Sequence, residues 1–164
     1  MTITSTISPC LWFDDDLEEA ARFYTGIFPN SSIGHLTRYN AAGPGEPGKV
    51  MAGEFTLNGL TFRGINGGPA EFRFSEAVSF SVTCYDQSEV DYYWDALVDG
   101  GEASVCGWLR DRFGLSWQIV PTRLYELVSD PDPVRAQAAT LAMLGMRRIV
   151  VADLEAAADA AAVG

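Results

Sequence analysis

Histidine is almost absent from this chain: His35 is the only one among 164 residues. A site needing two or three imidazoles would have to borrow them from another chain, which removes most catalytic zinc sites and the histidine-rich iron sites. Cysteine is scarce, odd in number and widely spaced, at Cys10, Cys84 and Cys106, with no CxxC pair. That is neither a disulfide framework nor a zinc knuckle, and it suits a reducing compartment. Positive charge is short as well. The 11 Lys and Arg face 22 Asp and Glu, a formal net charge of −11. With no basic cluster to override it, so acidic a surface repels phosphate backbones and argues against nucleic-acid binding. No apolar run approaches the roughly 18 to 20 residues of a membrane span. The N-terminus lacks a basic segment followed by a long apolar stretch, so no signal peptide is read. The expectation is a cytoplasmic protein without a membrane partner.

What the chain does contain is an ordinary globular composition, 48% apolar and 20% charged, enough for one domain or two small modules sharing a core. Residues 6–13 read as a buried strand that runs into three aspartates, Asp14, Asp15 and Asp16, any of which can cap a helix. They lack the alternate spacing and distal Glu of a calcium loop. Apolar residues then recur with helical period at Leu17, Ala20, Ala21, Tyr24, Ile27 and Phe28, until Pro29 and Asn30 end the helix. A strand follows over 32–39, a Gly/Pro-rich loop over 40–48, and a hairpin of 50–57 and 60–65 about the turn Asn58-Gly59.

The second half repeats the plan. A strand is expected over 78–84 and a capped helix from Asp86 carrying Val90, Tyr93, Trp94, Leu97 and Val98. Gly100 and Gly101 stop that helix, and strands over 109–112 and 115–120 meet at the turn Phe113-Gly114. DLEEAARFY at 16–24 echoes DQSEVDYYW at 86–94, and GLTFR at 59–63 echoes GLSWQ at 114–118, in the same order. Together they point to an internal duplication of a strand–helix–three-strand unit. DPDP at 130–133 opens a helix that Gly145 ends, and an Ala-rich helix is expected over 153–162. The organisation is therefore a single domain over 1–125, made of paired βαβββ modules at about 5–70 and 76–122, followed by a helical extension over 126–164.

The stretches PCLWFD at 9–14, FY at 23–24, IF at 27–28, NGGP at 66–69, CGWLRD at 106–111, FGLSWQIVP at 113–121 and DPDP at 130–133 closely resemble one family as a set. It is the PhnB-like group of the vicinal oxygen chelate (glyoxalase/bleomycin-resistance/dioxygenase) superfamily, whose domains are often labelled 3-demethylubiquinone 3-methyltransferase. The resemblance implies an α+β fold in which two βαβββ modules curl mixed sheets into a cup, completed in a homodimer. In metal-using members, His and Glu ligands come from the first and last strands of each module. Those places correspond, within about one residue, to Pro9, Arg63, Ser79 and Gln118. None is a carboxylate or an imidazole, and a guanidinium beside a divalent cation is repulsive. No metal and no cofactor are therefore expected. A methyltransferase of the common fold needs a Gly-rich turn between a strand and a helix, whereas NGGP precedes another expected strand.

The candidate ligand-binding residues are Trp12, Arg63, Asn66, Ser79, Trp108 and Gln118; no catalytic residue is assigned. Gln118 lies between Trp117 and Ile119, so strand alternation sends it to the opposite face, where an amide can donate and accept. Arg63 holds the equivalent place in the first module and either receives an anion or pairs with a carboxylate. Trp108 and either Trp12 or Phe13 are expected at the cavity. Cys10 and Cys84 are read as core, Cys106 as an inert, partly buried thiol, and His35 as a surface or structural histidine. The functional expectation is a metal-independent small-molecule-binding protein. The alternatives are a lyase, isomerase or dioxygenase-type enzyme using the cup, or a drug-sequestering resistance protein.

Overall fold

The structure, a computed structural model, describes residues 7–162; the expected strand start at Thr6 lies outside them. The chain divides into two compact units, Met1–Phe72 and Arg73–Gly164. In the first, β1 (Cys10–Phe13) leads into α1 (Leu17–Ile27), followed by β2 (Ser32–Arg38), β3 (Val50–Leu57) and β4 (Leu60–Asn66). The sheet order is β1-β4-β3-β2, with β1 parallel to β4 and the other pairs antiparallel. Leu17, Ala20, Ala21 and Tyr24 form the buried stripe of α1, the i, i+3, i+4, i+7 spacing of a helix lying on a core. Tyr24 stacks on Phe55 and Phe55 on Phe62, and each such buried ring contributes about 1.5–3 kcal/mol. Gly64 lets the start of α1 sit close to the sheet, because a Cβ there would lie 2.0 Å from Leu17 Cδ1.

The turn between β3 and β4 is as expected. Asn58 and Gly59 both have positive φ, 44° and 85°, the type I′ geometry whose twist suits a hairpin. The entry to α1 differs. Asp16 occupies the N-cap position but its side chain makes no capping hydrogen bond. The acceptor comes instead from the end of β4: Leu17 N donates to Asn66 Oδ1 at 3.0 Å, while Asn66 Nδ2 donates to Val50 O at 3.0 Å. Asn66 is 4% exposed, so one buried amide joins α1, β3 and β4.

The second unit has the same order: β5 (Ser79–Cys84), α2 (Gln87–Val98), β6 (Glu102–Ala103), β7 (Trp108–Arg110) and β8 (Ser116–Pro121). Its sheet runs β5-β8-β7-β6, again with first and last strands parallel. Val90, Trp94 and Leu97 form the buried stripe of α2; Val90 and Trp94 match Ala20 and Tyr24 of α1. Here the expected cap holds. Asp86 Oδ1 accepts from Glu89 N, and Glu89 Oε2 accepts from Tyr85 N, a reciprocal arrangement close to a capping box. The loop between β7 and β8 is built on Asp111, which is 3% exposed. Its carboxylate accepts from Phe113 N and Leu115 N at 2.9 and 3.0 Å and from Trp117 Nε1 at 2.8 Å.

Three further helices follow, α3 (Thr122–Val128), α4 (Pro133–Leu144) and α5 (Val151–Ala162). Asp132 caps α4 by accepting from Val134 N, with Pro133 in the first turn, as DPDP suggests. Helix α3 was not expected. It is seven residues long with only Leu124 and Leu127 buried and no side-chain cap, too short for a periodic signal. Val120, Leu124, Leu127, Ala139, Ile149, Leu154 and Ala158 form one core cluster, so the end of β8 is packed among these helices. Gln87 Oε1 accepts from Val151 N, and Gln87 Nε2 donates to Ile149 O, fixing α5 to the start of α2. Arg148 donates to Asp91 at 3.0 Å and also pairs with Asp95. The side chains of Gln87 and then Arg148 hold the Asp91 carboxyl below the usual range for an aspartate. Among the described residues no helix is long and apolar enough to cross a membrane.

Replacing Asn66 with Ala should lower stability by about 2–3 kcal/mol, since it orphans Leu17 N and Val50 O together. Asn66→Asp, which keeps the acceptor but not the donor, should fall between. Urea denaturation measures both, and a midpoint unchanged in the Ala variant would remove Asn66 from this role.

Candidate functional site

Helix α1 covers one face of the first sheet, and strand alternation decides which side chains reach the other. On β1, Leu11 and Phe13 are buried under the helix while Cys10 and Trp12 are exposed. On β4 the same alternation buries Phe62 and Gly64 and leaves Arg63 and Ile65 on the open face. The register then lines up two rows. Cys10 lies opposite Arg63, and Arg63 opposite Glu54. Trp12 lies opposite Ile65, Ile65 opposite Ala52, and Ala52 opposite Thr37. Most of these residues, with His35 and Thr37, line a concavity of about 480 Å³.

Several local features shape this face. Gly34 and His35 together oppose Glu54, between the pairs Ile33–Phe55 and Leu36–Gly53; this β-bulge turns His35 toward the concavity. A Cβ on Gly34 would lie 3.1 Å from Glu54 O. Arg63 Nε donates to Glu54 Oε1 at 3.1 Å, both side chains being about half or more exposed. The NGGP stretch frames Trp12. A Cβ on Gly67 would lie 1.9 Å from the Trp12 ring, Gly68 has φ 80°, and Gly68 O accepts from Trp12 Nε1 at 3.0 Å. Phe72 meets the same indole edge-on. A smaller hollow of about 280 Å³ lies beside this stretch. Its only lysine, Lys49, bridges Asp15 and Glu46 across it.

On the second sheet, Ser79, Ser81 and Thr83 alternate with Phe80, Val82 and the buried Cys84. Gln118 lies opposite Ser81 on β5 and Trp108 on β7, and Gln118 Nε2 donates to Ser79 Oγ at 2.9 Å. Arg110, two residues beyond Trp108, pairs with Glu102 of β6. Gln118 is half-buried on the face opposite Trp117 and Ile119, as alternation requires.

Of the residues singled out from sequence, Trp12 and Arg63 share the open face of the first sheet, and Ser79, Trp108 and Gln118 share that of the second. Asn66 stands apart, both ends of its amide being engaged inside the fold. Of the pair Trp12 and Phe13, Trp12 is 38% exposed and Phe13 is 3% exposed. Cys10 is exposed rather than core; it, not Pro9, stands beside Arg63, because Leu11 and Phe13 take the helix-facing positions of so short a strand. Cys84 is core, and burial, reinforced by the Glu89 and Asp86 carboxylates, pushes its thiol up to about 12. Cys106 is partly buried with φ 57°. The four places at which metal-using relatives carry ligands do not fit a divalent ion: one is proline, one a guanidinium, and Ser79 and Gln118 are neutral and bonded to each other. Among the described residues no three His, Cys, Asp or Glu are grouped to hold a metal.

Residues 5–120 match the family described as 3-demethylubiquinone-9 3-methyltransferase. The PhnB protein from Bacillus cereus is 35% identical and superposes with a TM-score of 0.68, over 72% of this chain and 100% of its own. The chain belongs to this PhnB-like family, within the vicinal oxygen chelate superfamily. Two more distant structures share the fold. Protein PA1353 from Pseudomonas aeruginosa is 18% identical, with a TM-score of 0.61 over 72% of this chain and 98% of its own. The fosfomycin resistance protein FosX from Listeria monocytogenes is 18% identical, with a TM-score of 0.54 over 76% and 97%. No curated protein sequence matches the chain. The match to the PhnB-like family ends at residue 120, just before α3. The methyltransferase wording finds no support in the NGGP stretch. Gly67 and Gly68 leave β4 for a loop and cradle an indole, not the N-terminus of a helix.

Alkylation of the native protein should reach Cys10 before Cys84, whose buried thiol resists forming the nucleophilic thiolate until unfolding. Peptide mass spectrometry after iodoacetamide treatment reads this directly, and early labelling of Cys84 would contradict its placement.

Proposed function

We propose that the chain is a metal-independent small-molecule-binding protein of the PhnB-like family. Its ligand-contacting groups are Trp12 and Arg63 on the first sheet and Ser79, Trp108 and Gln118 on the second, with Asn66 positioning the first set. The observation that carries this reading is the chemistry at the family's metal positions. Arg63 is paired with Glu54 and Gln118 with Ser79, so the matching places hold organic recognition groups instead of metal donors. Each sheet by itself sets polar groups near an indole, Arg63 with Trp12 on the first and Ser79 and Gln118 with Trp108 on the second, the mix of a few placed polar groups and apolar surface that suits a small molecule. The reading includes a cytoplasmic homodimer. An open sheet face with Trp12 and Phe72 in view, flanked by edge strands, is surface that a second copy would cover.

Dialysis against zinc, nickel, manganese and iron, followed by metal analysis, should leave only substoichiometric metal; one tightly held equivalent per chain overturns the proposal. Sedimentation at micromolar concentration should give twice the 17.8 kDa of the chain, and a mass equal to one chain would exclude the dimer.

A further inference from the structure

We infer that the concavity over the first sheet takes a small organic acid: a compact apolar body carrying one oxyanion, held by the outer edge of the Arg63 guanidinium. The inference rests on the small-molecule reading above and assigns the ligand's chemical class. Three observations combine. The first is how Arg63 is bonded. Its Nε is spent on Glu54 Oε1, and no terminal nitrogen of Arg63 bonds to any described residue. A guanidinium held through Nε keeps its Nη edge as a fork of parallel N–H donors, the geometry that receives a carboxylate or phosphonate bidentately. Glu54 is here a positioning residue, fixing the plane of the fork without filling it.

The second observation is what lies beside Arg63. One step along the strands, the row Trp12, Ile65, Ala52 replaces charge with an indole, a branched aliphatic and a methyl. Ile65 and Ala52 line the same concavity as Arg63. Neighbours two apart on a strand are about 6.6–6.8 Å apart, roughly the distance from a carboxylate to the far side of a six-membered ring. The third is charge. The chain carries −11 overall, so an anion has no general attraction to it and is held only where a cation is locally free. Lys49 is engaged by Asp15 and Glu46 and Arg110 by Glu102. On the first sheet's open face, among the described residues, Arg63 is the Lys or Arg side chain with unused donors.

The test uses the full chain and three probes: benzoate, phenylphosphonate and benzyl alcohol, the last having the same body without the anion. Titrations followed by amide NMR should show saturable shifts at Arg63, Ile65 and Ala52. Benzoate or phenylphosphonate should bind at least tenfold more tightly than benzyl alcohol. Arg63→Met should erase that preference, leaving benzyl alcohol unchanged, while R63K should keep part of it; thermal midpoints of both variants check that they fold. Equal binding of all three probes at these residues overturns the acid assignment and leaves the small-molecule reading standing. No shift on this face with any probe, up to millimolar concentration, overturns both. Shifts confined to Gln118 and Trp108 overturn the placement on the first sheet.

Discussion

In each unit the first strand runs parallel to the last, and that pairing governs everything built on it. Two parallel neighbours cannot be joined by a tight turn, so the chain must leave the sheet and cross back. The crossing begins with a helix, which takes one face of the sheet and buries the residues beneath it. The other face is left bare by topology, without any requirement on its residues to be apolar. Evolution is then free to write chemistry there, one residue in two along every strand. Arg63 and Gln118 occupy matching places on the last strands for this reason. Their differing partners, Glu54 in one unit and Ser79 in the other, show how far the two copies have separated within an unchanged plan.

Much of the architecture was legible because its signals are local. Asn58-Gly59 specifies its own turn through two positive φ values. Asp86 and Asp132 cap the helices they precede, and the stripe from Leu17 to Tyr24 announces the buried side of α1. The duplication was legible because both copies keep the same aromatic and acidic landmarks. What escaped was non-local or too short. The acceptor for the start of α1 comes from Asn66, 49 residues away in sequence, while three aspartates adjoining the helix offered a misleadingly simple alternative. β6 is two residues long and α3 seven, below the length at which periodicity speaks.

The candidate site was legible in part, for a related reason. Alternation around Trp117 and Ile119 assigns Gln118 to the opposite face, and that is where it lies. Cys10 was misplaced because a four-residue strand gives no second period to decide its phase. The NGGP stretch shows how a motif can be noticed and still be misread. Its asparagine is a structural clamp, its first glycine makes room for an indole, and its second glycine's carbonyl anchors the ring. None of these roles is visible until β1 and β4 are laid side by side.

The helical extension beyond residue 120 grips the body of its unit at the turn that leads into β7. The Cys106–Gly107 turn has both residues at positive φ, and its two amides donate to Met146 O and Arg147 O at 2.8 and 2.7 Å. A Cβ on Gly107 would lie 2.8 Å from Ile119 O, so the turn has no slack with which to pull away on its own. Those two protons are thus a built-in gauge. Their exchange with deuterium tracks whether the added helices are seated, and any tag or fusion that tugs the C-terminus will be felt first at the hairpin that carries Trp108.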